Sequence, residues 1–327
     1  MSFENIYSAY LAARRGRRYK PEILRFGFQI ENNLTRLKFE LENQIYHHGD
    51  YREFIVNDSK KRLIKVAPFR DRVAHHAVCN ILNPIFDRGF IYDSYACRVN
   101  KGARKAVLRL TSFLQEEFNS HKRNYCLQCD IAGFFKNINH QVLKKIISRK
   151  VRDTAVLFLL DEIIDSDRKN PLIGIPLGNL TSQLFANIYL NELDQFIKHH
   201  LRVKKYLRYM DDFLIIHNDK KKLHEFKNTI ACYLRDVLCL NFHPKKANIA
   251  PVEKGIDFLG YLVFKDHRTL RKSTVKRFLK KIKQHKIKIV RGQACEDTLY
   301  KSLQSWNAYA DFASSWRLRK KMNLFIN

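Results

Sequence analysis

The chain has 327 residues, of which 45% are hydrophobic and 12% aromatic, so it can bury a large core and is not a disordered segment. Its 61 Lys and Arg against 32 Asp and Glu leave a net charge of +29, which indicates a polyanionic partner, with nucleic acid the first candidate. A basic protein of the membrane surface is the alternative, but no apolar run approaches the roughly 20 residues of a spanning helix, and the N-terminus lacks a signal-peptide pattern. Seven scattered cysteines fit a reduced cytoplasmic compartment better than a disulfide framework.

Helical spacing dominates the start of the chain. Apolar residues recur every three to four positions over residues 1–48, which predicts amphipathic helices. The arginine-rich segment 14–18 between them is either a solvated loop or a phosphate contact. Further helices are expected over residues 71–86 and 103–118.

A hairpin is predicted over residues 51–66, where two strand-like runs flank a polar turn. Lys60, Lys61 and Arg62 lie just past that turn. An arginine fork can bind phosphate oxygens through two hydrogen bonds, so these cations could reach a polyphosphate.

The run of residues 125–131 predicts a strand that ends close to Asp130. Cys126 and Cys129 have the spacing of a zinc pair, but no second Cys/His pair lies at finger spacing. Strand alternation also places the two cysteines on opposite faces, which favours a structural role. Asp130 either caps the next helix or supplies a carboxylate to a metal site.

A Gly/Pro-rich loop over residues 173–183 separates a helical region, 141–165, from another helix. Gly178 in that loop would let the backbone approach the base or sugar of a ligand closely. An ordinary loop at a helix entry is the alternative interpretation.

Two strand-like runs flank Tyr209-Met210-Asp211-Asp212, a tip without the Gly, Pro or Asn that makes a turn easy. Two carboxylates about 4 Å apart repel by about 4 kcal/mol at an effective dielectric of 20, and a divalent cation between them would reverse that cost. Conflicts between sequence and local structure concentrate at functional sites. With Asp130 on a neighbouring strand, the set would suit two metal ions.

Positive charge is concentrated after this hairpin. A helix is predicted over residues 220–239, followed by a hairpin ending at residues 258–261. Residues 267–327 contain sixteen Lys and Arg and three acids, a difference of +13. An apolar stripe runs between those cations, which indicates a helix that grips a duplex backbone or one that is only solubilising.

The order of these motifs resembles that of a reverse transcriptase. Segments 175–183 (IPLGNLTSQ), 69–77 (FRDRVAHHA) and 94–98 (SYACR) resemble, more narrowly, the reverse transcriptases of diversity-generating retroelements. The resemblance runs from about residue 6 to Trp306. It implies an α+β right-hand polymerase fold with an antiparallel palm sheet, helices on one face of it, α/β fingers and a helical thumb. The implied division is fingers with an N-terminal helical extension at 1–100, palm at 101–138, fingers at 139–176, palm at 177–265 and thumb at 266–327.

The resemblance also implies roles for individual residues. Catalysis is assigned to Asp130, Asp211, Asp212 and Lys246, the last as the acid that protonates pyrophosphate. Binding of the dNTP is assigned to Lys60, Lys61, Arg62, Ile131, Phe135, Leu177 and Gly178, with Phe135 as the gate against a 2′-hydroxyl. Primer or template binding is assigned to Tyr209, Met210, Phe258, Leu259, Gly260, Tyr261, Arg271 and Lys272. Two Mg²⁺ ions, or Mn²⁺, are expected on Asp130, Ile131, Asp211 and Asp212.

Position 177 implies low fidelity. Many reverse transcriptases have Gln there, whereas this chain has Leu177, and loss of a polar contact weakens discrimination. The family resemblance makes the expected error selective misincorporation opposite template adenines. It also implies a bacterial or phage-encoded protein that uses dNTPs, a template-repeat RNA, an RNA/cDNA duplex and a pentameric helical accessory protein.

Three alternatives accompany this interpretation. A retron or group II intron enzyme would share the fold, although the latter usually carries extensions after the thumb. A catalytically idle RNA-binding protein is disfavoured by the intact aspartates. Another two-metal phosphodiesterase or a nucleotidyl cyclase leaves the cations near residues 60–62 and in the C-terminal region unexplained.

Overall fold

The computed structural model describes residues 1–57, 61–118 and 123–323 of the chain. Lys60, expected at the triphosphate, lies outside the described residues. The first helices are α1 (Phe3–Ala13), α2 (Pro21–Phe28) and α3 (Ile30–Glu42), followed by the antiparallel hairpin of β1 (Arg52–Asn57) and β2 (Lys61–Val66). Helices α4 (Phe69–Asp87) and α5 (Ala103–Phe118) come next. The predicted helices and the hairpin of this region are confirmed.

The middle of the chain alternates strands and helices. Its elements are β3 (Tyr125–Asp130), α6 (Phe134–Asn137), α7 (His140–Ser148), α8 (Thr154–Ile164), α9 (Leu180–Gln195) with a π-helical turn (Phe196–His200), β4 (Tyr206–Tyr209), β5 (Asp212–His217) and α10 (Lys220–Asp236). The helical region 141–165 is therefore two helices, because Asp153 begins the second one by accepting the Val156 N–H.

The last part contains β6 (Asn248–Pro251), a 3₁₀ turn (Val252–Lys254), β7 (Ile256–Phe258), β8 (Tyr261–Val263), β9 (Arg268–Leu270), α11 (Lys272–Val290), α12 (Glu296–Ala310) and α13 (Trp316–Asn323). The hairpin does not end at residues 258–261, as predicted, but turns there, between β7 and β8. Strand β9 lies within the predicted thumb yet pairs with β8, so this small sheet continues past residue 266.

A four-stranded antiparallel sheet, in the order β4-β5-β3-β6, forms the centre of the molecule. Four consecutive apolar residues of β5, 213–216, are at most 3% exposed, so both faces of the strand are covered. Leu214 packs in one core with α5, whereas Phe213 and Ile215 pack in another with α9 and α10. The expectation of helices on one face only is thus wrong, and the continuous apolar run is the physical reason.

The two cysteines of β3 confirm the alternation argument. Cys126 belongs to the core on the α5 face and Cys129 to the core on the other face, so they cannot share a metal ion. In the C-terminal helices, Phe278 of α11 stacks on Trp306 of α12 with ring centroids 4.1 Å apart. Among the helices described, none combines the length and the apolar character that crossing a membrane requires.

Candidate active site

A buried ion pair fixes the hairpin of β4 and β5. The Arg208 guanidinium donates to both carboxylate oxygens of Asp194 on α9, at 2.7 and 2.6 Å, and both side chains are fully buried. The same carboxylate accepts the Tyr206 hydroxyl at 2.6 Å. Arg208 also donates to the Asn187 side-chain oxygen at 3.2 Å and to Ser94 Oγ at 3.0 Å. The strand that leads to the acidic tip is therefore attached to helix α9 and to the loop before α5.

The tip itself is a two-residue turn of Met210 and Asp211, closed by the pair Tyr209 and Asp212. Met210 has φ of 57°, a conformation that a side chain makes costly. Arg208 donates to the Met210 carbonyl at 3.1 Å, so the buried cation also holds this strained peptide.

Asp130 and Asp212 lie directly opposite each other on β3 and β5. Asp130 is thus a strand-end residue and not the predicted alternative, a helix cap, because Gly133 is the N-cap residue of α6. The Lys246 ammonium forms an ion pair with Asp130 Oδ2. Lys246 arrives there because the His243 N–H donates to the Asp130 carbonyl at 2.7 Å, which docks the segment after α10 beside β3.

Burial and the neighbouring carboxylates together change the pKa of Asp212. Burial, followed by the charges of Asp130 and Asp211, raises the pKa of Asp212 to about 7. Lys246 opposes this shift. Burial lowers the pKa of Lys246, but its bond to Asp130 and the charges of the three aspartates together outweigh burial and raise it. A divalent cation would relieve the repulsion, so Asp130 and Asp212 fit a metal ion. In the described ranges, no three His, Cys, Asp or Glu side chains already converge as a complete ligand set.

The hairpin of β1 and β2 separates the two cations expected at the triphosphate. Successive strand residues face opposite sides, so Lys61 and Arg62 point away from each other. Arg62 lines the same cleft as Asp212. The structure therefore brings Arg62, and not Lys61, to the acidic hairpin.

Gly178 allows a close approach between its loop and strand β2 of this chain. It has φ of 125°, and an added Cβ would lie 2.8 Å from Ile64 Cγ2. The Lys65 N–H donates to the Leu177 carbonyl at 2.9 Å, so strand β2 rests on this loop. The reason is steric: only glycine fits between the loop and β2.

Two expected nucleotide-binding residues follow β3 directly in the chain. Phe135 is half-buried, and its carbonyl accepts the Ile175 N–H at 2.8 Å, which places the aromatic residue next to the 173–178 loop. The Ile131 side chain is only 1% exposed, so only its backbone remains available to a ligand.

A cleft of about 890 Å³ opens beside Asp212. Its cations are Arg62, Arg271, Arg277, Lys281 and Lys301. Of the residues expected to bind primer or template, Arg271, Leu259 and Gly260 line the cleft, whereas Lys272 does not. Phe258 and Tyr261 are 1% and 3% exposed, so their rings belong to the core under the turn.

Sequence reasoning missed the partners that hold the hairpin. Asp194 and Asn187 are two of several polar residues in α9 and drew no attention, and Ser94 was noted only as part of segment 94–98. One signal was available. Tyr206 and Arg208 are two residues apart in β4 and therefore share its inward face. A cation at such a position needs a buried acid.

Residues 55–263 match the family described as Reverse transcriptase (RNA-dependent DNA polymerase). Protein YkfC of Escherichia coli K12 is 24% identical over 254 residues, which cover 66% of this chain and 65% of that protein. The group II intron-encoded protein LtrA of Lactococcus lactis is 23% identical over 348 residues, which cover 85% of this chain and 56% of LtrA. The chain thus spans only about three fifths of the length of these curated relatives.

Solved structures show the same fold. Apo telomerase from Candida tropicalis superposes with a TM-score of 0.54 at 11% identity, over 71% of this chain and 50% of that one. The telomerase of the same species in complex with a TWJ fragment of telomeric RNA gives 0.52 at 12% identity, over 91% and 61%. Together with the mixed helices and antiparallel sheets, these matches confirm the α+β polymerase fold.

Replacing Asp194 by Asn should destabilise the protein by about 3–5 kcal/mol, because it leaves the Arg208 charge buried without its carboxylate. Urea unfolding measures the change. Asp236→Asn is the control, since the Arg235–Asp236 pair is exposed and screened by solvent, so its loss should leave the free energy of unfolding nearly unchanged. Equal losses in the two variants would contradict the role given to the buried pair.

Asp212→Asn should alter how the stability of the metal-free protein depends on pH. The folded-state pKa of Asp212, about 7, lies above its ordinary value. Its contribution to the free energy of unfolding is therefore full below pH ~4 and is lost as the pH rises through 7. Between pH 5 and pH 8 in EDTA, the melting temperature of the wild type should therefore fall further than that of the variant. Asp219→Asn is the control, because the backbone N–H of Lys222 lowers the pKa of this exposed residue. It should change the melting temperature at pH 5 and the melting temperature at pH 8 by the same amount. A parallel fall in wild type and Asp212→Asn would refute the assignment.

Proposed function

Because the chain belongs to the reverse transcriptase (RNA-dependent DNA polymerase) family, we propose that it polymerises dNTPs on an RNA template. One observation carries the proposal: Asp130 and Asp212 face each other across two strands, at a cleft that also contains Arg62 and cations of α11. A nucleic-acid duplex and a triphosphate are the polyanions that such a cleft suits. The charge of the whole chain, +29, agrees with it.

Each residue of the site then has a chemical task. Asp130, Asp211 and Asp212, with the Ile131 backbone, would hold Mg²⁺ or Mn²⁺ ions. When bound, these ions would activate the primer 3′-hydroxyl and neutralise triphosphate charge.

Residues around the carboxylates would handle the nucleotide. Arg62 would bind the triphosphate, and Lys246 would deliver a proton to the departing pyrophosphate. The ring of Phe135 would occupy the space that a ribose 2′-hydroxyl needs. Leu259 and Gly260, which line the cleft, would contact the primer.

The domain assignment remains part of the proposal. Fingers would comprise residues 1–100 and 139–176, and palm residues 101–138 and 177–265. The thumb would begin near α11, because β9 is joined to the small sheet that contains β8.

We further propose that the enzyme is of the diversity-generating type and copies a template-repeat RNA with errors opposite adenine. The support is the sequence of segment 175–183 and the aliphatic Leu177 within it. A pentameric helical accessory protein would be its partner. A group II intron-type enzyme is the second candidate, favoured by the similarity to LtrA over 85% of this chain.

Primer extension on an RNA template with Mg²⁺ and dNTPs tests the activity. Asp211→Ala/Asp212→Ala should lower the rate by at least about a thousandfold, since several kcal/mol of charge stabilisation are lost with the metal ions. Asp236→Ala/Asp266→Ala is the matched control at exposed sites and should leave the rate unchanged. Duplex binding without incorporation by the wild type would favour an idle RNA-binding protein.

Leu177→Gln should lower the error rate opposite template adenines by about tenfold, because an amide near the nucleotide restores a polar contact that a wrong base leaves unpaired. Sequencing of the cDNA measures errors at each template base. Leu172→Gln introduces the same change at an exposed leucine and should not alter the spectrum. Wild-type errors spread evenly over the four template bases would favour the group II intron type.

A further inference from the structure

The turn between β7 and β8 is unusually constrained. Its two central residues, Leu259 and Gly260, have φ of 49° and 92°, as a tight two-residue hairpin requires. Both line the cleft that contains Asp212. A small shift of this turn would therefore change the shape of the cleft next to the carboxylates.

Helix α12 holds the turn through one side chain. The Tyr309 hydroxyl donates to the Gly260 carbonyl at 3.1 Å. In return, the Tyr261 hydroxyl donates to the Tyr309 carbonyl at 3.0 Å, and the two rings lie 4.9 Å apart. An added Cβ at Gly260 would overlap the Tyr309 hydroxyl oxygen, so the tyrosine sits directly on the turn.

The end of α12 that carries Tyr309 is itself anchored. Arg104 of α5 donates to the Ala308 carbonyl at 2.5 Å, and Arg268 of β9 donates to the Phe312 carbonyl at 3.2 Å. Arg104 thus binds a carbonyl in the last turn of the helix, where a cation is favourable, and Arg268 binds the chain just after the helix ends. Farther toward the start of α12, Lys301 lines the cleft.

We propose that Tyr309 is a positioning residue. It holds the Leu259–Gly260 turn in place in the cleft that contains Asp212, and this turn positions the 3′ end of the primer. The inference rests on the proposed polymerase function. It gives the thumb a task besides holding the duplex by charge: through one hydroxyl, α12 sets the position of a turn that belongs to the palm.

Tyr309→Phe removes only that hydroxyl. The single-turnover rate of nucleotide addition should fall about fivefold, as expected for the loss of one hydrogen bond, with duplex affinity by fluorescence anisotropy within about twofold of wild type. Tyr300→Phe, at an exposed tyrosine of the same helix, should change neither quantity. An unchanged rate in Tyr309→Phe would overturn the proposal, and so would equal losses of rate, affinity and melting temperature.

A double-mutant cycle tests the contact itself. Gly260→Ala should slow addition, since alanine is strained at this φ and also meets the Tyr309 hydroxyl. Adding Tyr309→Phe removes the overlap, so the double variant should be faster than Gly260→Ala alone. Independent, additive losses would overturn the proposal. If wild type adds no nucleotide, the polymerase function fails instead, and the same cycle in melting temperature still tests the Tyr309–Gly260 contact.

Discussion

The position of the acidic hairpin depends on the buried pair of Arg208 and Asp194. Without it, β4 would carry a cation into an apolar core, and Met210 would lack the donor that holds its strained peptide. Breaking such a pair is costly because the remaining charge has no water around it. The pair therefore does more than add stability. It ties β4, the strand that leads into the turn with Asp211 and Asp212, to α9, the helix that follows the loop containing Leu177 and Gly178.

The site combines groups that are each unfavourable alone. Asp130 and Asp212 are brought together by strand register, and burial, followed by repulsion from Asp130 and Asp211, raises the pKa of Asp212 to about 7. Lys246 offsets part of that repulsion by its ion pair with Asp130. Folding supplies the energy that keeps these charges close, so a cation that enters need not draw scattered side chains together.

Local patterns predicted much of this molecule, and long-range contacts account for what they missed. The helices, the two hairpins and the opposite faces of Cys126 and Cys129 followed from periodicity. The covering of both sheet faces was missed although the apolar run 213–216 signalled it. The partners of Arg208 could not be predicted, since they lie 14 to 114 residues away in sequence. The motif assigned Phe258 and Tyr261 to the duplex, but in the structure their rings are buried in the core.

The bond between Lys65 and Leu177 joins two parts of the site that are far apart in the chain. Lys65 also pairs with Asp167 at 2.6 Å, and Gly178 leaves no gap against Ile64. Strand β2, with Arg62 near its start, thus packs directly against the loop that carries residue 177. Substitutions in β2 and in that loop should be epistatic rather than additive, because β2 and the loop pack against each other and a change in one shifts the other. The residues that position 177 can accept are consequently constrained by a hairpin more than a hundred residues earlier in the sequence.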